Sequence, residues 1–407
     1  MAADAPPPRG PHPLRAQVMA AAGQWLGAVA AFDAWRAGAM AWHPSLAAQG
    51  ERLAAEIDAA GAASVRAALA AEALTRLQAF LDGVAAYRAH PYRRDLPEPP
   101  VLARAGSARL LDYGGEGPAV LFVPSLINPA WVLDLSARRS LLRYLAGQGL
   151  RPLLLDWGRP DAREQRFDIA AYVRQRLLPL LRQAVQAHGR PVTLAGFCMG
   201  GNLALAAAVL APGLVARMAF LATPWDFHAA GAQQPALVAD FARRAAPLLA
   251  AEGVLPVDWQ QLLFAALDPT LIEGKYRRFA SLPPDSPEAA DFVALEDWAG
   301  SGPPLAAPVA RQVFADWYGA NLPARRGWRL DDAIIDPAAM KAPSLLAIPR
   351  RDRIVPPQSA MALAATLPNR QVLQVDAGHV GMVVGARAES LLWRPLAAWL
   401  AGDASGG

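Results

Sequence analysis

The sequence predicts an α/β fold: a mostly parallel, doubly wound sheet with a mainly helical cap inserted into it and a helical region ahead of it. Three observations predict this. Short apolar runs alternate with helical stretches from Arg109 to Ala222, and the alternation resumes from Ser344 to Leu400. Strands that alternate with helices build parallel sheets covered on both faces. Between these blocks, from Thr223 to about Asp336, the alternation lapses into a stretch mixing aromatics, prolines and charges, which is the mark of an insertion. The third observation is the run Pro191-Val-Thr-Leu-Ala-Gly-Phe-Cys198-Met-Gly-Gly201-Asn, an apolar segment that breaks at glycines around the only cysteine of the chain. Val192 to Phe197 reads as a buried strand and Asn202 to Leu210 as a helix, so Cys198 falls on the sharp turn between them. That is the pattern of a nucleophile elbow with Cys in place of Ser. Gly196 and Gly200 flank the turn because strand and helix crowd each other there.

The elements follow in order. Met1 to Pro13 is proline-rich and is expected to be a flexible lead-in. Leu14 to about Tyr87, rich in Ala, Leu, Glu and Arg, reads as two or three helices, the first with Val18, Trp25, Phe32 and Trp35 roughly on one face and Trp42 as a candidate to extend it. That face is expected to dock onto protein, with an apolar surface or a partner chain as the alternative. His90 to Pro100 is a linker, so residues 14–100 form the amino-terminal region and 101–407 the catalytic domain, with its cap at about 224–336. Strands are expected at Arg109 to Tyr113, Ala119 to Val123, Pro152 to Leu155, Met218 to Ala222, Ser344 to Ile348 and Gln371 to Val375. Helices are expected near Ser136 to Ala146, over Ile169 to Ala187 and at Leu391 to Leu400, before a polar tail at Asp403 to Gly407.

Composition narrows the function. With 407 residues the chain can bury a substantial core, and its single cysteine excludes an internal disulfide and a Cys-based zinc cluster. Its 39 basic residues exceed the 35 acidic ones by only four and are scattered, so a nucleic-acid partner is not implied. Apolar runs are broken before they reach the roughly 20 residues needed to span a bilayer. A cytoplasmic protein is expected, and the Ala-rich segment Val18 to Phe32 is better explained by an amphipathic helix than by a signal peptide.

A thiol nucleophile needs a base, and the base an orienting group. Of the six histidines, His379 follows the strand Gln371 to Val375 in Asp376-Ala-Gly-His-Val-Gly381, at the end of the sheet where the elbow emerges. Asp352 holds the equivalent place after Ser344 to Ile348, and Asp376 is the rival acid. The order nucleophile, acid, histidine is that of α/β-hydrolases. An oxyanion hole is expected from the backbone N–H of Met199 and from the loop Ser125-Leu-Ile-Asn128, with Ile127 and Asn128 as candidates.

The sequence resembles polyhydroxyalkanoate synthases over roughly Ala119 to Leu400. The blocks that carry the resemblance are Val123-Pro-Ser-Leu-Ile-Asn-Pro, Leu133-Asp-Leu135, Leu155-Asp-Trp-Gly158, Gly196-Phe-Cys-Met-Gly-Gly201, Thr223-Pro-Trp-Asp-Phe227, Asp352-Arg-Ile-Val-Pro-Pro357 and Gly378-His-Val-Gly381. The short segment after His379 is similar to the short-subunit synthases, which work with a separate partner subunit. The resemblance implies that Cys198 accepts the acyl group, His379 is the base and Asp352 the acid. It implies 3-hydroxyacyl-CoA as substrate, a growing polyester chain as acceptor, a homodimer, a location that extends to polyester granules, and no metal or organic cofactor. The sequence departs from the family at Met199, where Gln is common, at Pro129-Ala-Trp131, which replaces a basic, tyrosine-rich run, and in the longer helical region at its start. A Cys-dependent thioesterase or polyester hydrolase is the alternative, and a non-catalytic granule-associated relative a third reading.

Overall fold

The computed structural model describes residues 9–402; the first eight residues of the expected lead-in and the polar tail at 403–407 lie outside the described residues. The chain divides into two compact units. Among the described residues, one comprises 93–268 and 294–402, and the other 9–92 and 269–293.

The larger unit is built on one eight-stranded sheet. Its strands are β1 (Val101–Ala105), β2 (Ala108–Asp112), β3 (Ala119–Val123), β4 (Arg151–Asp156), β5 (Val192–Phe197), β6 (Val215–Leu221), β7 (Ser344–Pro349) and β8 (Arg370–Val375). They lie in the order β1-β2-β4-β3-β5-β6-β7-β8. The hairpin β1-β2 and the pair β2-β4 are antiparallel, and every later pairing is parallel. Every residue of β3, β5 and β7 is buried, as expected where helices cover both faces. After β3 the chain steps to β4 on one side, and after β4 it crosses back to β5 on the other. The carboxyl ends of β3 and β5 therefore flank the point where the winding direction reverses, and open α/β sheets bind their ligands at such a crevice.

Strand β1 is absent from the sequence expectation. Val-Leu-Ala-Arg-Ala carries little β preference and follows a proline-rich linker, and it pairs only as a half-exposed edge strand. The expected helix Ser136 to Ala146 begins late, at Leu141, because Asp134–Ser136 and Arg139–Ser140 form a small hairpin first. The expected helix from Ile169 holds to His188 with a π-helical turn at Val173–Leu177. The remaining strands lie within three residues of their expected positions.

The smaller unit contains α1 (Leu14–Arg36), α2 (Ala47–Ala60) and α3 (Ala62–Ala89), so three helices stand where two or three were expected. On α1 the half-buried Trp25 lies under the Arg76 guanidinium of α3, 4.8 Å from the ring centroid, and Phe32, Trp35 and Trp42 form an edge-to-face series at 6.2 and 5.4 Å. The core of this unit joins Phe80, Val84 and Tyr87 of α3 to Tyr276, Phe279 and Val293. Helix Leu271–Ala280 crosses α3 closely at Gly83, where a Cβ would stand 2.0 Å from the Tyr276 carbonyl oxygen. Residues 269–293 thus belong with the amino-terminal helices, whereas the sequence reading assigned them to one continuous cap at 224–336. The apolar face of helix Leu271–Ala280 is legible in sequence, but its partner lies nearly two hundred residues away and leaves no local signal.

Candidate active site

Phe197 ends β5, and helix α4 (Met199–Leu210) starts one residue after Cys198. Cys198 adopts φ 54° and ψ −130°, a backbone state that costs a side-chain-bearing residue on the order of 1–3 kcal/mol. Two backbone bonds hold it there: Cys198 N–H donates to the Leu221 carbonyl at 2.8 Å and the Cys198 carbonyl accepts from Gly201 N–H at 2.9 Å. The neighbours must be glycine for lack of room. A Cβ on Gly196 would lie 2.3 Å from Gly201 Cα, and one on Gly200 would lie 2.0 Å from the Val123 carbonyl oxygen, at the end of β3. Both obstacles are backbone. Replacing Gly200 by Ala is therefore expected to lower stability by about 3 kcal/mol or more, at the upper end of overpacking costs. A thermal melt of the variant against the parent measures it, and an unchanged midpoint would show that the elbow is not as tight as described.

The residues expected as acid and base sit on the loops after β7 and β8. Asp352 is buried, and its Oδ1 accepts the N–H groups of Ile354 and Val355, each at 2.9 Å. That pair fixes the carboxylate and leaves Oδ2 to accept from His379 Nδ1 at 2.6 Å. With Nδ1 committed to the carboxylate, the other ring nitrogen is left free of it, and the Cys198 sulfur adds to the interactions that favour the protonated ring. Phe197 lies along the His379 ring at 5.2 Å between centroids. Burial alone would lower the affinity of this imidazole for a proton, but the Asp352 carboxylate and the Cys198 sulfur outweigh it and hold the His379 pKa above its ordinary value. Tyr318 belongs to the same surroundings: burial, then the charges at Cys198 and Asp352, push its phenol upward.

The other candidates separate cleanly. Asp376 is exposed and pairs with Arg351 at 3.2 Å and Arg387 at 3.1 Å, away from the imidazole. His228 Nε2 donates to the Tyr318 carbonyl oxygen (2.7 Å), His188 Nε2 accepts from Ala119 N–H at 3.3 Å, and His43 caps a short turn through Ser45. In the expected oxyanion loop, Ile127 N–H is donated to Ser125 Oγ at 3.1 Å, so this donor is engaged where the sequence reading offered it to the substrate. Asn128 N–H has no such partner among the described residues, and Met199 N–H is a first-turn donor of α4 without an intrahelical acceptor. Met199 and Asn128 thus keep their N–H groups unengaged in that loop and turn.

Several residues that shape the site carry no catalytic signature in sequence. Trp157 Nε1 donates to the Pro124 carbonyl at 3.0 Å and Trp298 Nε1 to the Pro129 carbonyl at 2.8 Å, which clamps the loop at both ends. Beyond it, the buried Asp134 accepts from Ser140 Oγ (2.6 Å), Arg143 Nε (2.8 Å), Arg94 Nη2 (3.1 Å) and the Tyr113 hydroxyl (3.1 Å). Asn321, in the left-handed region at φ 52°, donates to Asp226 Oδ1 at 2.8 Å and accepts from Phe227 N–H at 3.0 Å. Trp157, Asp134 and Asp226 stand inside the motif blocks quoted above, which was the available signal.

A family model described as the alpha/beta hydrolase fold matches residues 118–386. The chain belongs to the alpha/beta hydrolase fold family. Among curated proteins, this hydrolase-fold chain is similar to the poly(3-hydroxyalkanoate) polymerase subunit PhaC of Haloferax mediterranei, with 26% identity over 74% of this chain and 63% of that one. It is similar to the subunit of the same name from Synechocystis (28% identity over 69% of this chain and 77% of the relative). That of Allochromatium vinosum is 27% identical, over 69% of this chain and 80% of its own. The match thus spans less than two thirds of the Haloferax protein, and these relatives are the synthases that the motif blocks resemble. No helix among the described residues is long and apolar enough to cross a membrane.

Proposed function

We propose that the chain is an acyltransferase that polymerises 3-hydroxyacyl-CoA into a polyhydroxyalkanoate through an acyl group held on Cys198. The observation that carries this reading is the 2.6 Å contact between His379 and the buried Asp352, beside a Cys198 held on the strained turn at the end of β5. The names of the curated relatives support the choice of reaction.

In the first half-reaction His379 takes the Sγ proton and sulfur attacks the thioester carbonyl. The Sγ–acyl bond forms, the acyl bond to the CoA sulfur breaks, and the proton leaves with CoA. Met199 and Asn128 N–H groups face the oxyanion, a donor of this kind being worth about 3–4 kcal/mol. In the second half His379 takes the proton of a hydroxyl on the growing chain or an incoming monomer, the acyl–oxygen bond forms as the Sγ–acyl bond breaks, and the proton returns from His379 to Sγ. Base assistance of this kind contributes about 10²–10⁴ in rate. Thiol in place of hydroxyl fits the chemistry, because exchanging one thioester for another preserves the reactivity that ester formation consumes. The reaction calls for no metal or organic cofactor. A homodimer, a partner synthase subunit and a place on polyester granules in the cytoplasm are part of the same proposal.

The test is incubation of the full chain with 3-hydroxybutyryl-CoA, following free CoA and the acyl group together. CoA release with insoluble polyester is the expected result. Free 3-hydroxybutyrate in its place would establish hydrolysis instead, and silence both alone and with a short-subunit synthase partner would end the enzyme reading.

A further inference from the structure

A cavity of about 230 Å³ opens beside the oxyanion loop, lined by Asn128 and Trp131 from the segment after β3, by Asp156, Trp157 and Arg159 at the end of β4, and by Ser301. Strands β3 and β4 are parallel neighbours, and β5 with its Cys198 lies on the opposite side of β3, where Val123 pairs with Gly196. The cavity is thus one strand over from the nucleophile, at the end of the sheet where ligands bind. We infer that it holds the carrier half of the substrate, the pantetheine arm and phosphates of CoA, with Arg159 taking the phosphate charge. This rests on the reading of the chain as a CoA-dependent acyltransferase.

Three features of the lining select that ligand. The walls are fixed indoles: Trp157 is held through Pro124 and packs on Tyr172 at 5.8 Å, and the Arg94 guanidinium lies 5.4 Å from the Trp131 ring. Such walls take an uncharged chain. The Asn128 carboxamide makes no hydrogen bond among the described residues, and its Oδ1 is buried without a partner. A buried amide in that state is costly until something pairs with it. Charge is the third feature. Asp156 is neutralised by Arg109 (Nη2 to Oδ2, 2.7 Å) and accepts Gly158 N–H at 3.0 Å, whereas the exposed Arg159 has no ion pair among the described residues. A free guanidinium beside a neutralised carboxylate leaves the mouth positive, and guanidinium is suited to phosphate.

The pantetheine arm carries secondary amides and ends in phosphates. A polyester chain carries ester oxygens, no N–H donor and no charge, so it satisfies neither the amide nor the cation. The acyl half of the substrate lies at Cys198, and its carrier crosses the loop into the cavity.

Binding of CoA alone tests this without turnover. Full-length Cys198→Ala is titrated with CoA by calorimetry, with and without Arg159→Glu, and with Arg182→Glu on the exposed face of helix Leu178–His188 as the control. Arg159→Glu is expected to weaken CoA binding by about tenfold or more, an effect that shrinks in about 0.5 M salt, and the control to stay within about twofold. Equal affinity with and without Arg159→Glu, or no binding of CoA by the parent at millimolar concentration, overturns the inference. The two readings fail separately. Arg159-dependent CoA binding without turnover of the thioester keeps the site and removes the proposed function. Turnover whose KM ignores Arg159→Glu keeps the function and removes the site.

Discussion

Replacing Cys198 by alanine is expected to stop release of CoA from 3-hydroxybutyryl-CoA, with a loss of about 10⁶ in kcat, the scale found when a triad nucleophile is removed. The loss follows from position as much as from identity. The strained φ of 54° aims the side chain out of the turn, and the first N–H of α4 and the imidazole of His379 are arranged around it. No other thiol exists in the chain to take over. Alanine tolerates this backbone as well as cysteine does, so the variant should melt like the parent, which separates lost chemistry from lost fold. Surviving turnover above about one part in 10⁴ would mean that the acyl group never passes through Cys198. Serine at the same position gives a sharper contrast. Its acyl-enzyme would be an ester, so the first half-reaction would persist weakly while transfer to the next hydroxyl slows, and CoA would appear as a burst of at most one equivalent. Quenched-flow measurement of CoA in the first turnovers distinguishes the two variants.

The site was legible where it depends on short-range pattern and opaque where it depends on distant contacts. Gly196, Cys198 and Gly200 declare themselves because a strand that turns straight into a helix leaves no room for side chains, and the 2.3 and 2.0 Å clearances at the two glycines are that lack of room. Asp352 and His379 could be paired from sequence because each follows the end of a strand, and the 2.6 Å contact brings those two side chains together. Ile127 shows the limit. Its N–H is donated to the hydroxyl of one side chain, Ser125. Sequence spacing carries no such information. The assignment of residues 269–293 fails for a related reason. Tyr276 meets Tyr87 and Phe80 at 5.7 and 6.1 Å, contacts between aromatic faces that are each periodic but carry no label of their partner. The clamp residues Trp157 and Trp298 are likewise visible as aromatics and silent as to which carbonyl they hold.

Asn at position 352 is the substitution expected to separate geometry from charge. Asp352→Asn keeps the size of the side chain and the acceptor oxygen that receives Ile354 and Val355 N–H, but the atom facing His379 becomes an amide donor against a ring nitrogen that now donates. The imidazole must change tautomer so that Nδ1 carries the lone pair and accepts, and the other ring nitrogen then carries the hydrogen. A base in the wrong tautomer cannot take the thiol proton, and the cost of that exchange in a triad is about 10⁴ in kcat. The pH dependence of stability gives a second readout that a merely loosened loop would not move. Burial disfavours the imidazolium, yet the Asp352 carboxylate leads the opposing effects and lifts the folded-state pKa above the ordinary 6.5. The folded chain therefore binds a proton that the unfolded chain has already lost, and this contribution is full below about pH 6.5 and declines as pH rises through the lifted value. In Asp352→Asn that alkaline decline should flatten, because the charge that favoured the imidazolium is gone while its burial remains. Chemical denaturation of parent and variant at a series of pH values from 6 upward measures the difference. Parallel curves would mean that His379 does not gain its proton from Asp352, and would remove the carboxylate from the role of orienting acid.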